Sequence, residues 1–92
     1  MATFFPLPKL GMNQEEGEIV SWLVSEGDTV SEGQPIVEIE TDKATVEVEA
    51  TADGVLAKIV HGEGDIVPIT GVIAVILEPG EAMPDDIPET IA

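Results

Sequence analysis

The chain repeats itself. Thirty-seven residues beyond Gly17 stands Gly54, and at the same spacing Glu26-Gly27-Asp28 is followed by Glu63-Gly64-Asp65. In that alignment Val30, Ile36 and Ile39 fall on Val67, Ile73 and Ile76, and Ile19, Trp22 and Leu23 fall on Leu56, Ile59 and Val60. Each copy reads as a strand, a Glu-Gly-Asp turn, a short strand, a Gly/Pro turn and a further strand. The glycine suits a turn position with positive φ, and the aspartate can hydrogen-bond nearby backbone. One copy has too few strands to bury its own apolar face, so the two copies must pack together. Two related sheets facing each other make a small β-sandwich or flattened barrel.

The composition agrees. Apolar residues make up 43% of the chain, and Val and Ile lead that set, which favours pleated strands. No segment sustains a 3.6-residue period, so almost no helix is expected and the fold class is all-β. At 92 residues the chain holds one small domain, placed at residues 1–80. Residues 81–92 read as an acidic linker or tail, since the stretch from Pro79 onward carries Pro84, Pro88 and acidic side chains with little alternation.

A net charge of −16 excludes nucleic acid as a partner, because phosphates need Lys and Arg. It also disfavours anionic membrane surfaces. Cysteine is absent, so neither disulfides nor thiolate metal sites hold the fold, and no metal site is expected. No apolar run approaches the roughly 20 residues that span a bilayer. The opening Met1-Ala2-Thr3-Phe4-Phe5 lacks the basic start of a signal peptide, and no Arg exists to form a transit peptide. A cytoplasmic location is expected, or the mitochondrial matrix for a processed eukaryotic precursor. The isolated domain is expected to be a monomer.

The most informative local pattern is a hairpin. Val37-Glu38-Ile39-Glu40 and Val46-Glu47-Val48-Glu49 both alternate strictly, and Thr41-Asp42-Lys43-Ala44 lies between them. With Asp42 and Lys43 as the two turn residues, Thr41 faces Ala44, Ile39 faces Val46, Glu38 faces Glu47 and Val37 faces Val48. Apolar pairs then share one face and glutamates the other, whereas a one-residue slip would mix them. Lys43 is one of three lysines in the chain, beside Lys9 and Lys58, and this register puts it at an exposed tip. Asp-Lys at such a turn is also ordinary surface chemistry, so the hairpin alone does not assign a function.

Glu40-Thr41-Asp42-Lys43-Ala44, centred between the two half-repeats, resembles the lipoyl domains of 2-oxo acid dehydrogenase acyltransferase components. The similarity runs over nearly residues 4 to 80. It takes in Pro8-Lys9-Leu10-Gly11-Met12, Glu16-Gly17, Trp22-Leu23 and Glu26-Gly27-Asp28. Thr45-Val46-Glu47-Val48-Glu49-Ala50 is most similar to pyruvate-type domains, and Pro8 to Met12 is also similar to acetoin-type ones. The resemblance implies a flattened barrel of two four-stranded antiparallel sheets with quasi-twofold symmetry. It implies that the Lys43 amine forms an amide with lipoate, attached by a lipoate ligase or completed by a lipoyl synthase. Asp42 and Ala44 match the flanking positions that help the attaching enzyme. The implied partners are a thiamine-diphosphate 2-oxo acid decarboxylase component, the acyltransferase core and a flavin-containing dihydrolipoyl dehydrogenase. Gly11, Met12, Glu15 and Glu16, with Glu26 and Asp28, are the candidate docking residues by the same analogy. The domain itself is expected to have no catalytic residue.

Other readings fit less well. Biotin carriers share the fold but place Met on both sides of the modified lysine, where Asp42 and Ala44 stand here. Glycine-cleavage carriers are longer and carry extra helix. An unmodified interaction module, such as the barrel of a membrane-fusion adaptor, gives no reason for the Glu-Thr-Asp-Lys-Ala tip. A free-standing enzyme is the weakest reading: His61 is the lone histidine, and acid–base work needs a positioned partner. Trp22 reads as core or near-core packing, and Asp85-Asp86 falls short of a coordination shell.

Overall fold

The computed structural model describes residues 2–8, 14–41 and 44–90. These form eight strands: β1 (Thr3–Pro6), β2 (Glu16–Trp22), β3 (Thr29–Val30), β4 (Pro35–Glu40), β5 (Thr45–Glu49), β6 (Gly54–Ile59), β7 (Ile66–Pro68) and β8 (Val72–Leu77). One sheet has the order β5-β4-β2-β7 and the other β1-β8-β6-β3. Every pairing is antiparallel, and no helix occurs among the described residues.

The repeat explains this order. β2, β3 and β4 match β6, β7 and β8, but each short strand crosses to the sheet of the other copy, so β3 pairs with β6 and β7 with β2. That exchange interlocks the halves, and neither copy has a complete sheet alone. The local bonding repeats in detail. Gly27 N–H donates to the Leu56 carbonyl at 2.7 Å, and its counterpart Gly64 N–H donates to the Ile19 carbonyl at 2.7 Å. The Asp28 carboxylate accepts from Ser25 N–H at 2.9 Å, as that of Asp65 does from Gly62 N–H at 3.1 Å. Gly27 and Gly64 have φ of 95° and 90°, as the Glu-Gly-Asp turn requires.

Bulges recur as well. Val20 is the extra residue where β2 meets β4, and Ala57 where β6 meets β8. Ile36 is passed over in the β4–β5 pairing, as Ile73 is in the β1–β8 pairing. A bulge lets two successive side chains face one way, which is why Ile36 and Val37, and likewise Ile73 and Ala74, are buried together.

Inward residues of both sheets form one core, with Phe5, Leu7, Ile19, Ile36, Ile39, Leu56, Ile73 and Ile76 fully buried. Among the described residues no polar or charged side chain is buried. Trp22 packs against the core edge and its indole N–H donates to the His61 carbonyl at 2.9 Å. The segment beyond β8 folds back, and Thr90 forms an antiparallel bridge with Gly71.

Candidate functional site

The β4–β5 hairpin has the register that its alternation demands. Val37 lies opposite Val48, Glu38 opposite Glu47, Ile39 opposite Val46 and Glu40 opposite Thr45. Val37 and Ile39 are fully buried and Val48 nearly so, while Glu40, Glu47 and Glu49 are exposed. At the open end Thr41 N–H donates to the Ala44 carbonyl at 2.8 Å. The Thr41 hydroxyl donates to the same carbonyl at 3.1 Å and accepts from Ala44 N–H at 3.3 Å. A side chain thus reinforces the closure, a role that alternation alone does not reveal. Asp42 and Lys43 connect these two residues in sequence and lie outside the described residues. Ala44 is exposed and Thr41 half-buried.

Beside the closure is an open cleft of about 390 Å³, walled by Gln14, Glu15, Glu16, Glu18, Glu40 and Thr41 among others. It exists because β2 pairs with β4 through Glu18 and Glu40 and with β7 through Glu16 and Pro68. Four glutamates therefore converge at the hairpin's root. Such a concentration of one sign of charge focuses the field toward cationic surfaces. Glu18 and Glu40 were not singled out as docking residues in the sequence; their proximity depends on a cross-strand register between distant segments.

The docking candidates divide. Glu15 and Glu16 line the cleft. Gly11 and Met12 lie outside the described residues. Glu26 and Asp28 sit in the β2–β3 turn, which bonds to Leu56 of β6. Leu56 pairs with Ile76 near the end of β8, so this turn is at the opposite end of the molecule from Thr41 and Ala44. Both carboxylates are also engaged, that of Glu26 accepting from Ile59 N–H at 2.8 Å and that of Asp28 from Ser25 N–H. His61 Nδ1 lies 3.4 Å from the Asp65 carboxylate on the turn before β7.

The family model described as "Biotin-requiring enzyme" matches residues 3–76. The chain belongs to the biotin/lipoyl domain family. Within that family it is similar to the dihydrolipoyllysine-residue acetyltransferase component of the pyruvate dehydrogenase complex. It is 47% identical to the Rickettsia bellii protein over 84% of this chain and 19% of that one. The Rhizobium meliloti protein is 50% identical over 82% of this chain and 17% of that one. The pyruvate dehydrogenase E1 component β subunit of Rhizobium meliloti is 48% identical over 86% of this chain and 17% of that one. The chain spans less than a fifth of the length of each of these relatives. Among solved structures, the lipoyl domain of the Azotobacter vinelandii 2-oxoglutarate dehydrogenase complex superposes with a TM-score of 0.64 at 34% identity, covering 80% of this chain and 96% of that one. Kluyveromyces lactis urea carboxylase gives a TM-score of 0.71 at 28% identity, over 84% of this chain and 6% of that one. This biotin/lipoyl domain accordingly has the all-β architecture of a complete lipoyl domain.

Proposed function

We propose that this biotin/lipoyl domain is a lipoyl carrier of a pyruvate-type 2-oxo acid dehydrogenase complex, with lipoate attached to Lys43 by an amide. The observation that carries the proposal is the β4–β5 register, closed at Thr41 and Ala44, with Asp42-Lys43 as the intervening pair in the Glu-Thr-Asp-Lys-Ala sequence. The residues present suit the group. Lys43 contributes a primary amine next in sequence to the exposed Ala44, and the inward face of the hairpin is anchored in the core through Val37, Ile39 and Val48. Lipoate is favoured over biotin because Asp42 and Ala44, not methionines, flank the lysine.

When attached, lipoate supplies a dithiolane that accepts an acyl group and two electrons and gives them up again. The chain's own contribution is presentation. A rigid hairpin on an interlocked core limits the volume that an arm can sweep, which raises its local concentration at a docked active site. The acidic cleft at the hairpin root supplies a recognition surface for a cationic rim on the decarboxylase component, with Glu15 and Glu16 as the contacts. Glu26 and Asp28, at the far end, serve the turn instead. The acyltransferase core, dihydrolipoyl dehydrogenase and a lipoate-attaching enzyme complete the set of partners. The domain contributes no catalytic residue and works in the cytoplasm or matrix compartment where such complexes operate.

Two parent chains are compatible with the similarities, an acetyltransferase and, from the Rhizobium E1 β subunit, a decarboxylase subunit. The activity of the full-length product, acetyl transfer to coenzyme A or pyruvate decarboxylation, separates them. The function is tested by loading the domain with lipoate and adding decarboxylase components specific for pyruvate, 2-oxoglutarate or acetoin, each with its substrate. Acetyl gain from the pyruvate enzyme in excess of the others is expected. Acyl gain from none of them would overturn the shuttle.

A further inference from the structure

All six residues of β8 are buried, Val72, Val75 and Leu77 as well as Ile73, Ala74 and Ile76. Ile73, Ala74 and Ile76 belong to the core between the sheets, whereas Val72, Val75 and Leu77 do not. Strand alternation puts those three on the outer face. The equivalent outer residues of β4 are Pro35, Glu38 and Glu40, of which Pro35 and Glu40 are exposed and Glu38 half-buried. Of these two equivalent strands, β4 therefore has a wet, polar outer face while β8 has a dry, apolar one. Something outside the repeat must cover the second.

The segment after β8 is positioned to do so. Gly80, with φ of 85°, lies in a turn where Glu81 N–H donates to the Glu78 carbonyl and Glu78 N–H to the Glu81 carboxylate, both at 2.9 Å. That bond from Glu78 N–H also holds the Glu81 carboxyl below its ordinary pKa. The chain then reverses, and at its other end Thr90 bridges Gly71 while Val72 N–H donates to the Glu89 carbonyl at 2.8 Å. It has thus travelled the whole length of β8. Between these anchors Glu81, Pro84 and Ile87 are half-buried, and Asp85, Asp86 and Pro88 exposed. A half-buried residue at every third position is the period of an extended polyproline-type chain lying with one edge on a surface. The repeat supplies an independent sign. Position 35, the counterpart of Val72, is a proline and has no N–H to satisfy; Val72 has one, and the returning segment accepts from it.

We propose that residues 81–90 form an intramolecular strap that seals the outer face of β8, so that the folded unit extends to Thr90. The domain boundary set near residue 80 by composition then moves beyond the strap. The strap also relocates the chain's exit. Leu77 lies at the end of the molecule opposite the hairpin closure. Gly71 follows β7, whose Pro68 pairs with Glu16 in the wall of the cleft beside Thr41. With the strap seated, Thr90 lies at the hairpin's end of the domain; with it released, the chain leaves β8 at the other end.

The chain has no cysteine, so Asp86→Cys in the full chain takes a single nitroxide label on an exposed strap position. Broadening of the Ala74 and Val75 amide resonances, absent from the Glu47 and Glu49 amides on the other sheet, is the expected result. Equal, weak broadening everywhere would overturn the strap. Hydrogen exchange gives a second readout. Ile87→Asp is expected to speed exchange at the Val72 amide by about tenfold or more while leaving Ile39 unchanged. Unchanged exchange at Val72 would contradict the proposal, and equal acceleration at Ile39 would mean that the substitution loosened the whole domain rather than the strap.

Discussion

Glu38 lies directly across from Glu47 on the outer face of the β4–β5 hairpin. Like charges in that position oppose the pairing, and Glu40 and Glu49 extend the same acidic face. Glu47→Lys should therefore raise stability by a few tenths of a kcal/mol, roughly 0.2–1 for an opposed pair. The gain should shrink as salt is raised from 0.01 to 0.5 M, over which the screening length falls well below about 30 Å. Thermal unfolding at the two salt concentrations measures it. If the acidic face also serves recognition, the same variant will be a poorer substrate for reductive acylation although it is more stable.

Gly17 and Gly54 occupy equivalent positions near the starts of β2 and β6 but are glycine for different reasons. A Cβ on Gly54 would lie 2.4 Å from the Leu77 carbonyl oxygen, and its φ is 154°. A Cβ on Gly17 would meet Ile39 Cγ2 at 2.8 Å, a branch of a fully buried side chain that is stiff at χ1, so there the conflict is with core packing and not with backbone. Gly54→Ala should cost about 3 kcal/mol or more, since backbone must shift. Gly27→Ala has open space around the new methyl and should cost only about 1–2 kcal/mol for its positive φ. Urea unfolding of the pair tests the ranking.

Thr70 is the one described non-glycine residue with positive φ, at 69°. Its counterpart in the first half of the repeat is Gly33, φ 89°, and both N–H groups make the same bond, Gly33 to the Ala50 carbonyl at 2.9 Å and Thr70 to that of Leu7 at 3.1 Å. A β-branched residue is strained there. Thr70→Asn should stabilise the domain by roughly 0.5–1.5 kcal/mol, read as a rise in melting temperature. A fall would mean that the Thr70 hydroxyl, which donates to the Ile69 carbonyl, matters more than the backbone strain.

Much of this architecture could be read before any coordinates. The spacing from Gly17 to Gly54 announced two equivalent halves, and Val37 to Val48 fixed the hairpin register, because alternation leaves one pairing that keeps glutamates out of the core. The crossing of β3 and β7 between halves was not legible, since short strands such as Thr29–Val30 carry too little pattern to choose a sheet. Nor was the cleft, where Glu18 and Glu40 meet through pairing between segments remote in sequence. Composition does not decide the tail: Pro84 and Pro88 suit a linker, and they equally suit an extended chain that lies against a sheet without joining it, as the Gly71–Thr90 bridge requires.

Lysine modification is the decisive property. Incubated with lipoate, ATP and a lipoate ligase, the domain should gain one lipoyl group, and peptide mass spectrometry should locate it on Lys43. A Lys43→Ala variant with intact strand signals should gain none. An unmodified Lys43 in a folded domain, or a lipoyl group on Lys9 or Lys58 instead, would contradict the carrier assignment.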